Sequence, residues 1–155
     1  NDTASTAIYT LSLKDALPSS DYALPYVGIG DVFHIFGLWS FMPPEICYVN
    51  TKAALEKALE IDNTIGELYT SLASIFQYRE RDMAKAEQYY LRSIELSPDY
   101  SYAHGWYGIM LAALGRAEEA LREADRAIAL DPLFSLMHAM KGIVLIGLGH
   151  RKSVV

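Results

Sequence analysis

Four histidines, one cysteine and a band of mixed charges are the side chains of this 155-residue chain that could do chemistry. His34, His104, His138 and His150 lie far apart, and no His-Glu-x-x-His or similar spacing joins any two of them, so no metal site is expected. His104 and His138 fall at equivalent places in a repeating pattern, which suits a packing role. Cys47 is the only cysteine, so no internal disulfide can form. It has no partner motif that would activate its thiol, and it is expected to be an inert residue at the tip of a helix hairpin. Gly28-x-Gly30 has part of the spacing of a phosphate-binding turn. Such a turn follows a strand, whereas these glycines lie inside a helical pattern. Glu118, Glu119 and Glu123 alternate with Arg116, Arg122 and Arg126, as on a solvated helix face laced with charge pairs. No acid, base and nucleophile converge. The expectation is a protein that is not an enzyme and takes no cofactor.

Composition narrows the field. Hydrophobic residues make up 52% of the chain, enough to drive a packed core. Thirteen basic against 19 acidic residues give a formal charge of -6, which argues against nucleic acid as the ligand, since phosphate binding needs a clustered positive field. No apolar run reaches the roughly 20 residues that span a bilayer. No secretory signal pattern opens the chain, so a cytoplasmic location and no membrane partner are expected. The chain does not begin with Met, which leaves room for an excerpt of something longer.

The elements that must position these side chains repeat. Ser20-Asp21-Tyr22, Asn63-Thr64-Ile65, Pro98-Asp99-Tyr100 and Pro132-Leu133-Phe134 are anchors separated by 43, 35 and 34 residues. A run rich in aromatic, small and leucine residues follows each. A second amphipathic run precedes the last three: AALEKALEID, AEQYYLRSIELS and ALREADRAIALD. A period near 34 residues, built of two helical runs, predicts stacked helix hairpins. Sustained period-two alternation, the mark of strands, is absent. Each repeat reads as helix A, turn, helix B. Repeat 1 spans about 23–62, repeat 2 about 66–97, repeat 3 about 101–131, and a half repeat about 133–149; an orphan helix is expected at about 7–17. Pro98 and Pro132 stop the B helices, and Gly115 can supply the left-handed residue that ends a helix A. Small residues recur where helices must cross closely: Gly30, Ala73, Gly108 and Gly142 on A helices, and Ala58, Ser93 and Ala127 on B helices.

At these residues the chain resembles the tetratricopeptide repeat family. Repeat 2 carries Tyr69, Leu72-Ala73, Phe76, Ala86, Tyr90, Ser93 and Pro98, with one residue added in its turn. Repeat 3 carries His104, Tyr107-Gly108, Leu111, Ala120, Ala124, Ala127 and Pro132. His104 and His138 stand in place of the first aromatic, and Lys141 in place of a leucine. The resemblance covers about residues 20 to 149 and implies an all-α, tetratricopeptide-type α-solenoid of antiparallel helix hairpins. DYALPYVGIGDVF, the Pro-Pro-Glu insert, SYAHGWYGIMLAALGR and ALDPL also look like such segments in some bacterial multidomain regulators. None of the effector domains of those regulators is in this sequence.

The resemblance implies a concave groove lined by A helices. Its positions fall on Leu24, Val27, Asp31, His34 and Ile35, on Glu67, Thr70, Ser74, Gln77 and Tyr78, and on Tyr102, Gly105, Ile109, Ala112 and Ala113. Of these, Asp31, His34, Glu67, Thr70, Ser74, Gln77, Tyr78, Tyr102 and Ile109 are the candidate partner-binding residues. Family members that clamp the carboxylate tails of chaperones use Lys and Asn there. This chain has Val27, Asp31, Thr70, Ser74, Gly105 and Ile109, so such tails are not the expected partner. A hydrophobic or helical peptide, or a protein surface, is.

Two further features stand out. The insert 37–50 lies between helices A and B of repeat 1, and Pro43, Pro44 and Glu45 favour a helix start. Helix A is expected to run on towards Phe41. The tip would carry Trp39, Phe41, Met42 and Tyr48, either folded back onto the array or exposed as a binding patch. The last helix shows Leu136, Met137, Met140, Ile143, Val144, Leu145, Ile146 and Leu148 on nearly all faces, as a buried helix does, and Met140, Ile143, Val144, Ile146 and Leu148 are the candidate self-association residues. Either a helix B is missing, or this helix packs on another copy as a twofold homodimer or domain swap.

The expected function is a non-catalytic protein–protein interaction module that binds a peptide or protein surface in its groove. The alternative is the interaction or sensing part of a larger bacterial signalling or transcriptional regulator whose effector domain is absent.

Overall fold

A computed structural model describes residues 22–152, and the chain divides into two compact units, 1–64 and 65–155. The orphan helix expected at about 7–17 lies outside the described residues.

In the first unit, α1 (Leu24–Leu38) and α2 (Pro44–Ile61) form one antiparallel hairpin. Small residues set the closeness of the pair. A methyl group on Gly30 would come within 2.9 Å of Leu55, and Thr51 Oγ1 donates to the Gly30 carbonyl at 3.2 Å. Cys47 is buried beneath Gly37. Helix α1 ends at Leu38, short of Phe41, because Ser40 takes a left-handed conformation at φ 57° and the Phe41 N–H turns back to the Phe36 carbonyl at 2.9 Å.

The second unit holds α3 (Gly66–Ile75), a π-helical turn (Phe76–Glu80), α4 (Met83–Leu96), α5 (Ser101–Leu114), α6 (Ala117–Leu130) and α7 (Ser135–Lys152). Helices α3 and α4 pair, as do α5 and α6, and α7 lies against both α5 and α6. The extra residue in the turn of repeat 2 is absorbed by the wide π turn, which closes when the Asp82 N–H reaches the Phe76 carbonyl at 2.9 Å. Arg81 pays for that closure in the left-handed region, at φ 60°, where Gly115 does the same work in the next hairpin at φ 82°. Asp82 then caps α4 by accepting from the Lys85 N–H at 3.0 Å.

The core of this unit alternates small and large. Ala73, Ala86, Ala120 and Ala124 let the backbones approach, while Tyr90, Tyr107, Met110, Leu111 and Val144 fill the spaces. A second cluster forms where Ala127 meets Met137 and Met140. Among the described residues no strand occurs, and no helix is long and apolar enough to cross a membrane.

Candidate functional site

Three of the five groove residues expected in repeat 2 face inward. Thr70, Ser74 and Gln77 are buried on the side of α3 that meets α4. Thr70 Oγ1 and Ser93 Oγ lie 2.8 Å apart, and Ser93 donates onward to the Gly66 carbonyl at 2.7 Å. Tyr90 donates to Gln77 Oε1 at 2.8 Å, with Ser74 Oγ 3.4 Å from the same phenol. Burial pushes the Tyr90 phenol far above its ordinary pKa, so it stays a donor. These side chains satisfy one another inside the hairpin and are not on offer to a partner, which corrects the expectation for all three.

What the second unit does present is aromatic. On α5, Tyr102, Trp106 and Ile109 follow one another at helical spacing and are half-buried, resting on the Ala127–Met137–Met140 cluster. Ala113 continues the same face and is exposed. Tyr78 meets Trp106 edge-on, with ring centroids 6.1 Å apart at 82°. Tyr102 is stacked on Tyr100 at 5.6 Å and reaches Phe134 at 5.7 Å. Such rings are held on one side and open on the other, the arrangement of binding anchors that lose little freedom when occupied. Glu67 is half-buried. Trp106 was not among the sequence candidates, although its position four residues after Tyr102 and three before Ile109 marks it as part of the same stripe.

In the first unit, Asp31 and His34 are half-buried on α1. Burial lowers the His34 pKa to about 4, so its ring is neutral at pH 7. At the tip, Trp39 and Phe41 are each 72% exposed, and Phe41 packs edge-on against the exposed Phe36 at 5.9 Å. Met42 and Tyr48 are half-buried. Burial also raises the Cys47 thiol, which leaves it unreactive and inside the hairpin instead of at the surface of the tip.

Helix α7 is two-sided. Met140 and Val144 are buried against α5 and α6, which removes them from the candidate self-association face. Ile143 and Ile146 are exposed and Leu148 is half-buried.

The charged band ties helices together. Arg116 grips Glu119 with Nε and Nη2 at 2.7 and 2.6 Å, and its Nη1 donates to Glu87 of α4, which also accepts from the Tyr107 phenol at 2.7 Å. The Arg116 guanidinium holds the Glu119 carboxyl below the usual carboxylate range. Glu123 Oε2 meets His104 Nδ1 at 2.7 Å, while His104 Nε2 donates to the Pro98 carbonyl at 3.0 Å. His138 Nε2 makes the same bond to the Pro132 carbonyl at 3.0 Å. Both histidines therefore fasten the turn that precedes their own helix. Among the described residues no group of three His, Cys, Asp or Glu side chains could hold a metal ion.

Residues 66–100 match a family model of the tetratricopeptide repeat, and residues 89–122 match a second model with the same description. The first covers the α3–α4 hairpin, and the second runs from the middle of α4 into α6, half a repeat out of phase. Residues 66–122 are thus matched as tetratricopeptide repeats, and the all-α helix hairpins are consistent with the solenoid type of that family. Repeats of this family mediate protein–protein interaction. No curated protein matches the chain.

Proposed function

We propose that this tetratricopeptide-repeat chain is a non-catalytic interaction module whose α5 face, Tyr102, Trp106, Ile109 and Ala113 with Tyr78 at its edge, holds an apolar or helical segment of a partner protein. The observation that carries this reading is Trp106, which is packed from behind and braced by Tyr78 yet half open to solvent. Large aromatics in that state give most of the energy at protein interfaces. The face contains no cation to meet a carboxylate tail, and its chemistry favours a helix-in-groove mode.

A library of displayed peptides selected on the intact chain tests this. Apolar, helix-forming sequences should emerge, and their binding should be lost in Ala113→Arg, which places a bulky charge on the exposed end of the face. Selected peptides that bind this variant as well as the parent would contradict the proposal.

The reading as part of a larger bacterial regulator rests on the likeness of short segments. It would use the same face.

A further inference from the structure

The last turns of α3 and α5 are equivalent in the repeat, yet they close differently. On α5 the Arg116 N–H returns to the Leu111 carbonyl at 3.0 Å, with Gly115 left-handed at φ 82°. On α3 the corresponding bond runs from the Asp82 N–H to the Phe76 carbonyl at 2.9 Å. That closure is one residue longer, and Arg81 takes the left-handed place at φ 60°. A π turn bonds each residue to the fifth along, so it winds the chain less per residue than an α-helix does. Tyr78, inside the turn, therefore lags behind the place it would hold on a continued α3. Helix α4 holds the turn in this form. The Phe76 ring lies 5.3 Å from Tyr89 and 4.1 Å from Lys85 Nζ, Gln77 accepts from Tyr90, and Asp82 caps α4. Tyr78 instead reaches Trp106 on the next hairpin, with the two ring planes at 82°.

We propose that the one-residue insertion is a positioning device for the α5 face. The π turn sets Tyr78 against Trp106 and so fixes the orientation of the ring on which a partner packs. This rests on the reading of the α5 face as the binding surface, and it makes Tyr78 a positioning residue that acts through Trp106. Two observations support it. A π turn closed by a left-handed arginine is less favourable than the glycine-closed turn of α5, and such strain persists where packing holds it and gathers at functional sites. Counted on from Phe76 and Leu111, the place of Tyr78 in α5 is taken by Ala113, which has no ring to brace a neighbour. A ring held in place before a partner arrives loses less freedom on binding.

The test uses the intact chain in a Trp39→Phe background, where all tryptophan emission comes from Trp106. Acrylamide quenching then reads the freedom and exposure of that ring without any partner. Deleting Glu80 together with Arg81→Gly rebuilds the shorter turn of α5 and keeps Tyr78 in the chain. Quenching should rise in this variant, and to the same level in Tyr78→Ala. It should stay at the parent level in Tyr78→Phe, which keeps the ring. It should also stay there in Arg81→Gly alone, which relieves strain without changing the residue count. A cooperative urea transition shows that each variant is folded, and lost stability by itself does not move the quenching of the folded state. Peptides selected on the intact chain should bind the deletion variant and Tyr78→Ala up to about tenfold more weakly. Unchanged quenching in either variant would overturn the inference. So would a deletion variant that fails to fold, because the turn would then be required by the hairpin itself. Peptides that bind without covering Trp106 would count against the α5 face, while the quenching still decides on the turn, so the two fail separately.

Discussion

The Tyr90 phenol donates a 2.8 Å hydrogen bond to Gln77 Oε1 across the α3–α4 hairpin. Gln77 lies on the π turn, so the one-residue insertion in repeat 2 and the buried polar network belong to a single local arrangement. Removing either partner strands the other away from water. Gln77→Leu should therefore cost about 1–3 kcal/mol of stability, read as a lower urea midpoint with unchanged slope. Tyr90→Phe should cost a similar amount.

Arg81 is exposed and sits at φ 60°, a conformation that strains an L side chain. Relief of that strain outweighs the extra chain entropy of glycine. Arg81→Gly should raise stability by about 0.5–1 kcal/mol, measurable as a higher melting temperature.

The two equivalent glycines should respond in opposite senses. Gly108 is pressed against the backbone of α6, so Gly108→Ala should destabilise the protein by about 1–3 kcal/mol. Gly142 faces open space inside a helix, so Gly142→Ala should stabilise it by up to about 1 kcal/mol. Urea unfolding of both variants checks the pair.

His34 makes stability depend on pH. Its folded pKa, about 4, is depressed below the ordinary 6.5 because burial disfavours the imidazolium. Above pH 6.5 both folded and unfolded forms are neutral and the group has no effect. As pH falls from 6.5 towards 4, only the unfolded chain gains the proton, and stability is lost. The loss from this group should reach about 3 kcal/mol at pH 4. His34→Leu should remove that part of the acid sensitivity, seen as a smaller fall in urea midpoint between pH 7 and pH 4 than in the parent.

Much of the architecture can be read from the chain because punctuation is local. Pro98, Pro132 and Gly115 each act within one turn of themselves, and the second unit places its helix ends beside them. The site was less legible. Thr70, Ser74 and Gln77 occupy positions that family likeness assigns to a groove, but their hydroxyl and amide groups pair with Ser93 and Tyr90 on the next helix, which spacing within α3 cannot register. A helix as apolar as α7 hides which face is buried, so Met140 and Val144 could not be told from Ile143 and Ile146 by pattern. Trp39 and Phe41 lie open because Ser40 ends α1 early by adopting a conformation that serine seldom takes.

The chain has two tryptophans, Trp39 and Trp106, and this makes the central claim directly measurable. In a Trp39→Phe background all tryptophan emission reports on the α5 face. Titration with a peptide selected on the intact chain should shift that emission to the blue, saturably, as the half-open ring is covered, and Ala113→Arg should abolish the shift. A peptide that binds while the emission of Trp106 stays unchanged would contradict the assignment of the α5 face as the binding surface.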